Sequence, residues 1–245
     1  MHPHPALRRR RYQIYRSPWH ILATIAVVAA PFLFLLFFTR LNRIDSTRLL
    51  FGAFSSLWRI AAAYLIAVIL GWGLAVLFYR GRRAAIALPI FDVLQSFPTS
   101  AALPVAALIW GPTNFTVIFF LMLEIIWPVF FSVVSSLKLI RRDWEEVVEI
   151  THLSGLAYFR KFLGPVSIPG LITGSVIGLG EGWQVLVATE IIVGIKSGLG
   201  SFFQLFSTNT TVTSFAILGL LLLVFSINKV LWLPLLGWSH RIMEE

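Results

Sequence analysis

Six apolar runs, each long enough to cross a bilayer, most constrain what this 245-residue chain can become. A spanning helix needs about 20 mostly apolar residues, and Ile21–Phe38, Leu57–Tyr79, Ala84–Trp110, Thr116–Leu137, Ile168–Val193 and Phe215–Trp238 all approach or exceed that length. In lipid the backbone must satisfy its own hydrogen bonds, and runs of this length do so as helices. The expected fold class is therefore all-α and integral to the membrane, with six transmembrane helices. With 58% apolar and 13% charged residues, the composition excludes an ordinary soluble surface.

The net charge of +9 raises the question of nucleic acid, but the basic residues lie in clusters between the apolar runs, so no nucleic-acid partner is expected. Those clusters set an orientation. Arg8–Arg16, Arg80–Arg83, Lys138–Lys161 and Arg241 fall on one side and hold fourteen Lys and Arg, against four in Arg40–Arg48 and at Lys196 on the other. By the positive-inside rule both termini and the 138–167 loop are cytoplasmic, with lipid around the 21–245 domain and a basic tail over 1–20. The tail and first run lack a small-residue cleavage site and read as an uncleaved anchor. Without cysteine there is no thiolate metal site and no cysteine nucleophile, and no metal site of another kind is expected.

The runs are not uniform. Ala84–Trp110 contains Pro89, Pro98 and Pro104 with Asp92, Gln95 and Phe97, and prolines at membrane depth demand protein or a wet cavity around them, so this span is expected inside the bundle. Gly170, Gly174, Gly178 and Gly182 repeat every fourth residue, a stripe that admits a close helix neighbour. Glu124, Glu181 and Glu190 lie within apolar runs, where an ionised carboxylate costs about 2.5–3.5 kcal/mol unless it meets water or a partner. In a straight helix Glu181 and Glu190 face opposite ways, so both cannot line one pathway. Pathway and structural roles stay open for each acid. Arg59 and Lys229 are expected to snorkel to headgroups.

The 138–167 loop carries Glu146, Glu149 and His152, breaks at Ser154–Gly155, and continues through Leu156, Tyr158 and Phe159 to Pro165 and Pro169. It is too apolar for a free loop, which leaves an interfacial amphipathic helix or a docking element for a soluble partner. Pro169 is expected at the first turn of the fifth span, where its missing N–H costs nothing.

The stretch EVVEITHLSGLAYFRKFLGPVSIPGLITG resembles the cytoplasmic loop of ABC importer permeases, with Glu146 on the family's Glu and Pro165 and Pro169 on its prolines. Val147 and Val148 stand where that motif has alanines, and His152 where it has glycine. The resemblance extends through SSLWRIAAAYLIAVILGWGLAVL, DVLQSFPTSAALPVAALIWG and EGWQVLVATEII, and is most like the nitrate, sulfonate, taurine and bicarbonate group, especially one half of its duplicated anion-type permeases.

It implies a type I importer permease fold whose coupling helix, about His152–Phe162, enters a groove of a separate ATPase, with Leu156, Tyr158 and Phe159 as anchors and Glu146 and Glu149 at the rim. It further implies a second permease copy or a different permease subunit, an external solute-binding protein, and ATP with magnesium on the partner chain only. Gln95, Phe97, Pro98, Glu124, Glu181, Trp183 and Glu190 are the pathway candidates. This chain has no Gly-x4-Gly-Lys-Ser/Thr loop to cradle phosphates and no reactive cluster for an intramembrane enzyme, so it is expected to bind no cofactor and catalyse no reaction itself. A proton-coupled secondary transporter and a mainly structural half of a heterodimer remain as alternatives.

Overall fold

A computed structural model describes residues 18–140, 142–232 and 234–235, and every regular element among them is helical. The 1–20 tail and the end of the sixth run, 236–238, fall almost wholly outside the described residues. The elements are α1 (Pro18–Asn42), α2 (Ser46–Phe78), α3 (Gly81–Gln95), α4 (Thr99–Trp110), α5 (Asn114–Lys138), α6 (Arg142–Ile150), α7 (Gly155–Tyr158), α8 (Gly164–Val193), α9 (Leu199–Leu205) and α10 (Thr210–Ile227). Five helices are individually long and apolar enough to span a membrane, and α3 with α4 makes a sixth if taken as one bent span.

The core is built around α5. Val117, Leu121, Ile125, Val129, Phe130 and Val133 on this helix are fully buried, and α2 and α8 pack on it more extensively than any other pair of elements pack together. On the α8 side the glycine stripe makes the approach possible: a Cβ at Gly174 would stand 2.6 Å from the Val129 Cα, and one at Gly170 2.5 Å from the Ser132 carbonyl oxygen. On the α2 side a second small-residue stripe, Ala63, Ala67, Gly71 and Ala75, is buried at the same spacing of four. A Cβ at Gly71 would lie 3.0 Å from the Ile126 carbonyl oxygen. With both neighbours equally apolar, such close van der Waals contact is what holds helices together in lipid.

Three boundaries differ from the sequence reading. Helix α2 starts at Ser46 rather than Leu57, because Asp45 caps it, its carboxylate accepting from the Thr47 N–H at 2.9 Å. The third run is two helices bent by 75° at Ser96–Pro98; the residue before a proline is pushed out of the α region, which favours a break at Phe97–Pro98. This pair does not lie inside the bundle: Ala84, Ala87, Leu103 and Ala106 are buried, while Val93, Leu108 and Ile109 are exposed on its outer side.

The third difference concerns the fifth run. Helical structure is unbroken from Gly155 to Val193, so Pro165 and Pro169 do not restart the chain. Pro165 has no N–H to give the Lys161 carbonyl, and just before it Phe159–Leu163 forms a π turn closed by the Gly164 N–H on the Phe159 carbonyl. The Ser136 hydroxyl donates to the Val166 carbonyl at 3.0 Å and Ser167 accepts the Trp72 indole N–H at 2.8 Å, which pins this part of α8 to α5 and α2.

A Gly174→Val variant is expected to lose at least about 1–3 kcal/mol of stability through overpacking, because the atoms in its way are backbone. Gly180→Ala, whose Cβ would meet nothing within 4 Å, should be neutral. Thermal unfolding of both variants in one detergent checks this.

Candidate functional site

At the break between α3 and α4 the bundle opens a cavity of ≈ 660 Å³ against α5 and α8. Gln95 and Ser96 come from the end of α3, Glu124, Trp127, Phe131 and Ser132 from α5, and Ile177 and Glu181 from α8. The first residue of α4 also faces this region, since the Thr99 hydroxyl donates to a carboxylate oxygen of Glu124. Gln95 donates to Asp92 at 2.7 Å. Of the seven sequence-predicted pathway residues, the structure brings Gln95, Glu124 and Glu181 together here. Phe97 and Pro98 form the bend beside them, with Phe97 largely exposed.

The other two predicted residues lie elsewhere. Trp183 follows Glu181 by two positions on α8, which turns it to about the opposite side of the helix. It lines a separate, mostly apolar cavity of ≈ 440 Å³ with Tyr64, Ser175 and Trp232, where the Tyr64 hydroxyl donates to Ser175 at 2.9 Å. Glu190 is 0% exposed and Arg59 only 2%. Arg59 does not snorkel. Its Nη1 donates to Glu190 Oε1 at 2.6 Å and to the Ser197 carbonyl at 2.8 Å, its Nη2 to the Ser197 hydroxyl at 2.7 Å, and its Nε to Asn114 Oδ1 at 2.8 Å.

Glu190 takes further bonds from the Ser56 hydroxyl and the Gly200 N–H at 2.8 Å, and Ser56 in turn accepts the Leu199 N–H at 2.8 Å. The network ties α2, α5, α8 and α9 into one knot. Gly198, at φ 129°, is required in it twice: its backbone lies where side chains rarely follow, and a Cβ would meet the Glu190 carboxylate. Sequence reasoning missed Ser56, Asn114, Ser197 and Gly200. The signal available was that an apolar run holding Arg59 must supply it with an acid from another run.

The 142–163 segment presents a third feature. After α6 the chain turns at His152, φ 48°, and Gly155, φ 56°, both in the left-handed region. His152 thus takes a conformation that glycine adopts freely and other residues rarely. Glu146 and Glu149 are exposed, and Leu156 is 79% exposed. Tyr158 and Phe159 are half-buried on their own chain instead of standing free as anchors. The Phe159 ring lies 5.1 Å from that of Trp72, and the Tyr158 hydroxyl 3.3 Å from that of Tyr79.

A helical bundle with a broken span, a polar cavity at the break and an exposed segment continuous with the cavity wall has the form of a multi-pass membrane transport subunit. The chain belongs to the family of binding-protein-dependent transport system inner membrane components, whose family model matches residues 63–233. It is 34% identical over 149 residues to a nitrate import permease protein, NrtB, of Leptolyngbya laminosa, a match covering 60% of this chain and 53% of that one. It is 27% identical over 149 residues to the bicarbonate transport system permease protein CmpB of Synechococcus elongatus, covering 60% and 54%. A taurine transport system permease protein, TauC, of Escherichia coli is 26% identical over 202 residues, covering 77% and 73%. The matched part spans about half the length of the nitrate and bicarbonate relatives.

Removing one member of the buried ion pair leaves the other charged and unsolvated. Arg59→Met and Glu190→Met are each expected to cost about 3–5 kcal/mol, and the double variant carrying both to cost clearly less than the two single changes added together. A double-mutant cycle on thermal unfolding in detergent reads the coupling.

Proposed function

We propose that this chain is one transmembrane half of an ATP-driven importer and lines part of the route of a small polar solute delivered by an external binding protein. The expected range of solutes is that named for its relatives: nitrate, bicarbonate, taurine and similar sulfonates. Both termini and the 138–167 loop face the cytoplasm, where Arg80–Arg83 and Lys138–Lys161 concentrate positive charge. ATP and magnesium belong to a separate ATPase, and a second permease half, identical or different, completes the route.

One observation supports this reading most strongly: exposed Leu156 and the cavity residues Ile177 and Glu181 lie on one uninterrupted helical stretch, Gly155–Val193. A soluble partner that grips α7 therefore displaces a wall of the cavity without an intervening loop. Leu156 is the anchor such a partner takes up, with Glu146 and Glu149 at the rim. Tyr158 and Phe159 transmit the load to α2 through Tyr79 and Trp72. When ATP closes the ATPase pair, the two arrangements of the halves differ in their contacts at α7, and that difference shifts the cavity between outward and inward access. A self-sufficient carrier has no use for such an exposed handle.

Isolation of the chain from detergent-solubilised membranes of its own cell is expected to bring down an ATPase, with a second permease identified by mass if the halves differ. Leu156→Asp should reduce ATPase recovery at least tenfold while leaving the melting temperature of the chain unchanged, because the side chain is exposed. Absence of an ATPase from the unaltered sample, under conditions that preserve a known importer complex, would refute the reading.

A further inference from the structure

The cavity at the α3–α4 break carries charge of one sign. Glu124 and Glu181 open onto it beside Gln95, Trp127 and Phe131, and among the described residues no Lys, Arg or His lines it. A third carboxylate, the exposed Asp92, accepts from the Gln95 amide beside the cavity. The broken span adds to this sign independently of the acids. Helix α3 ends at Gln95, on the cavity wall, so the negative end of its dipole is directed at the break. The positive end there, the start of α4, carries no side-chain cap, and the charge beside it is Glu124, which takes the hydroxyl of Thr99 in its first turn.

A bare inorganic anion entering here meets two carboxylates and a helix C-terminus, with no counter-charge among the described lining residues. An ammonium group meets acceptors, and the rings of Trp127 and Phe131 attract a cation through their faces. Broken membrane helices use their C-terminal ends for cations in the same way. We propose that this cavity admits a solute bearing a protonated amine, with Glu181 and Glu124 as its counter-charges and Trp127 as the ring it packs against. The proposal rests on the cavity being part of the solute route. It divides the solutes named for the relatives: nitrate and bicarbonate lack an amine, whereas taurine is an aminoalkyl sulfonate. The amine is then what this half reads.

The test uses the full-length chain in nanodiscs of neutral phosphatidylcholine and three probes of one shape: benzylammonium, benzyl alcohol and benzoate. The readout is saturable quenching of the part of the tryptophan fluorescence that is lost in Trp127→Phe. Benzylammonium is expected to bind at least tenfold more tightly than benzoate, with benzyl alcohol between them, and Glu124→Gln with Glu181→Gln to abolish that preference. Equal or tighter binding of benzoate, no saturable quenching by benzylammonium, or an unchanged preference in the double variant would each overturn the proposal.

The ranking on the unaltered chain decides even if the double variant does not fold. Recovery of the ATPase, measured separately, keeps the two readings apart. Benzylammonium selectivity without an ATPase leaves the cavity assignment standing and removes the importer, while an ATPase with benzoate selectivity does the reverse.

Discussion

Everything in this bundle is arranged around the closeness of α2 and α8 to the backbone of α5. Lipid offers apolar side chains the same environment that a neighbouring helix does, so burial alone does not drive these helices together. Contact does, and contact requires that something be small. Gly170, Gly174, Gly178 and Gly182 on one side and Ala63, Ala67, Gly71 and Ala75 on the other give α5 two flat faces to lie between. The price is intolerance: at Gly170 and Gly174 the nearest atoms are backbone and cannot move aside.

Electrostatics completes what packing begins. The Arg59–Glu190 pair has every charged atom answered by a hydroxyl, an amide, a carbonyl or a backbone N–H, the condition under which a buried ion pair is held without an orphaned charge. It fixes the far end of α8, while Ser136, Trp72 and Tyr79 secure the region next to α7. Helix α8 is thus tied at both ends, and between them it presents Glu181 to the cavity. The two acids on this helix illustrate how neighbours decide what a carboxylate can do: Glu190 is held by Arg59, and Glu181 opens onto the cavity.

Much of this was legible in the sequence, because the spans and the glycine stripe are local patterns of length and spacing. The break in the third span was foreshadowed by its prolines. The start of α2 was not, since an apolar count begins at Leu57 whereas the helix begins where Asp45 caps it. The alanine stripe was hidden because alanine is also an ordinary helix former. The ion pair joins residues 131 apart in sequence, and nothing local announces which acid answers Arg59. Pro169 misled in a specific way: expected in the first turn of the fifth span, it lies inside a helix that continues from Gly155, with Pro165 following directly on a π turn. Of the candidate pathway residues, Gln95, Glu124 and Glu181 share a cavity because three different elements converge at one bend, which only the tertiary structure reveals.

The central claim is that α7, the π turn and α8 move as one lever. The chain has no cysteine, so Ala157→Cys, on the exposed side of α7, and Ile177→Cys can be spin-labelled in the purified chain before it is assembled with its partners. The helix between these positions separates them by about 30 Å, within reach of pulsed electron–electron distance measurement in the assembled complex. A single narrow distribution near that distance, unchanged between nucleotide-free and ATP-trapped states, is the predicted result. A distribution that broadens or shifts with nucleotide would place a hinge at Phe159–Leu163 and contradict the lever.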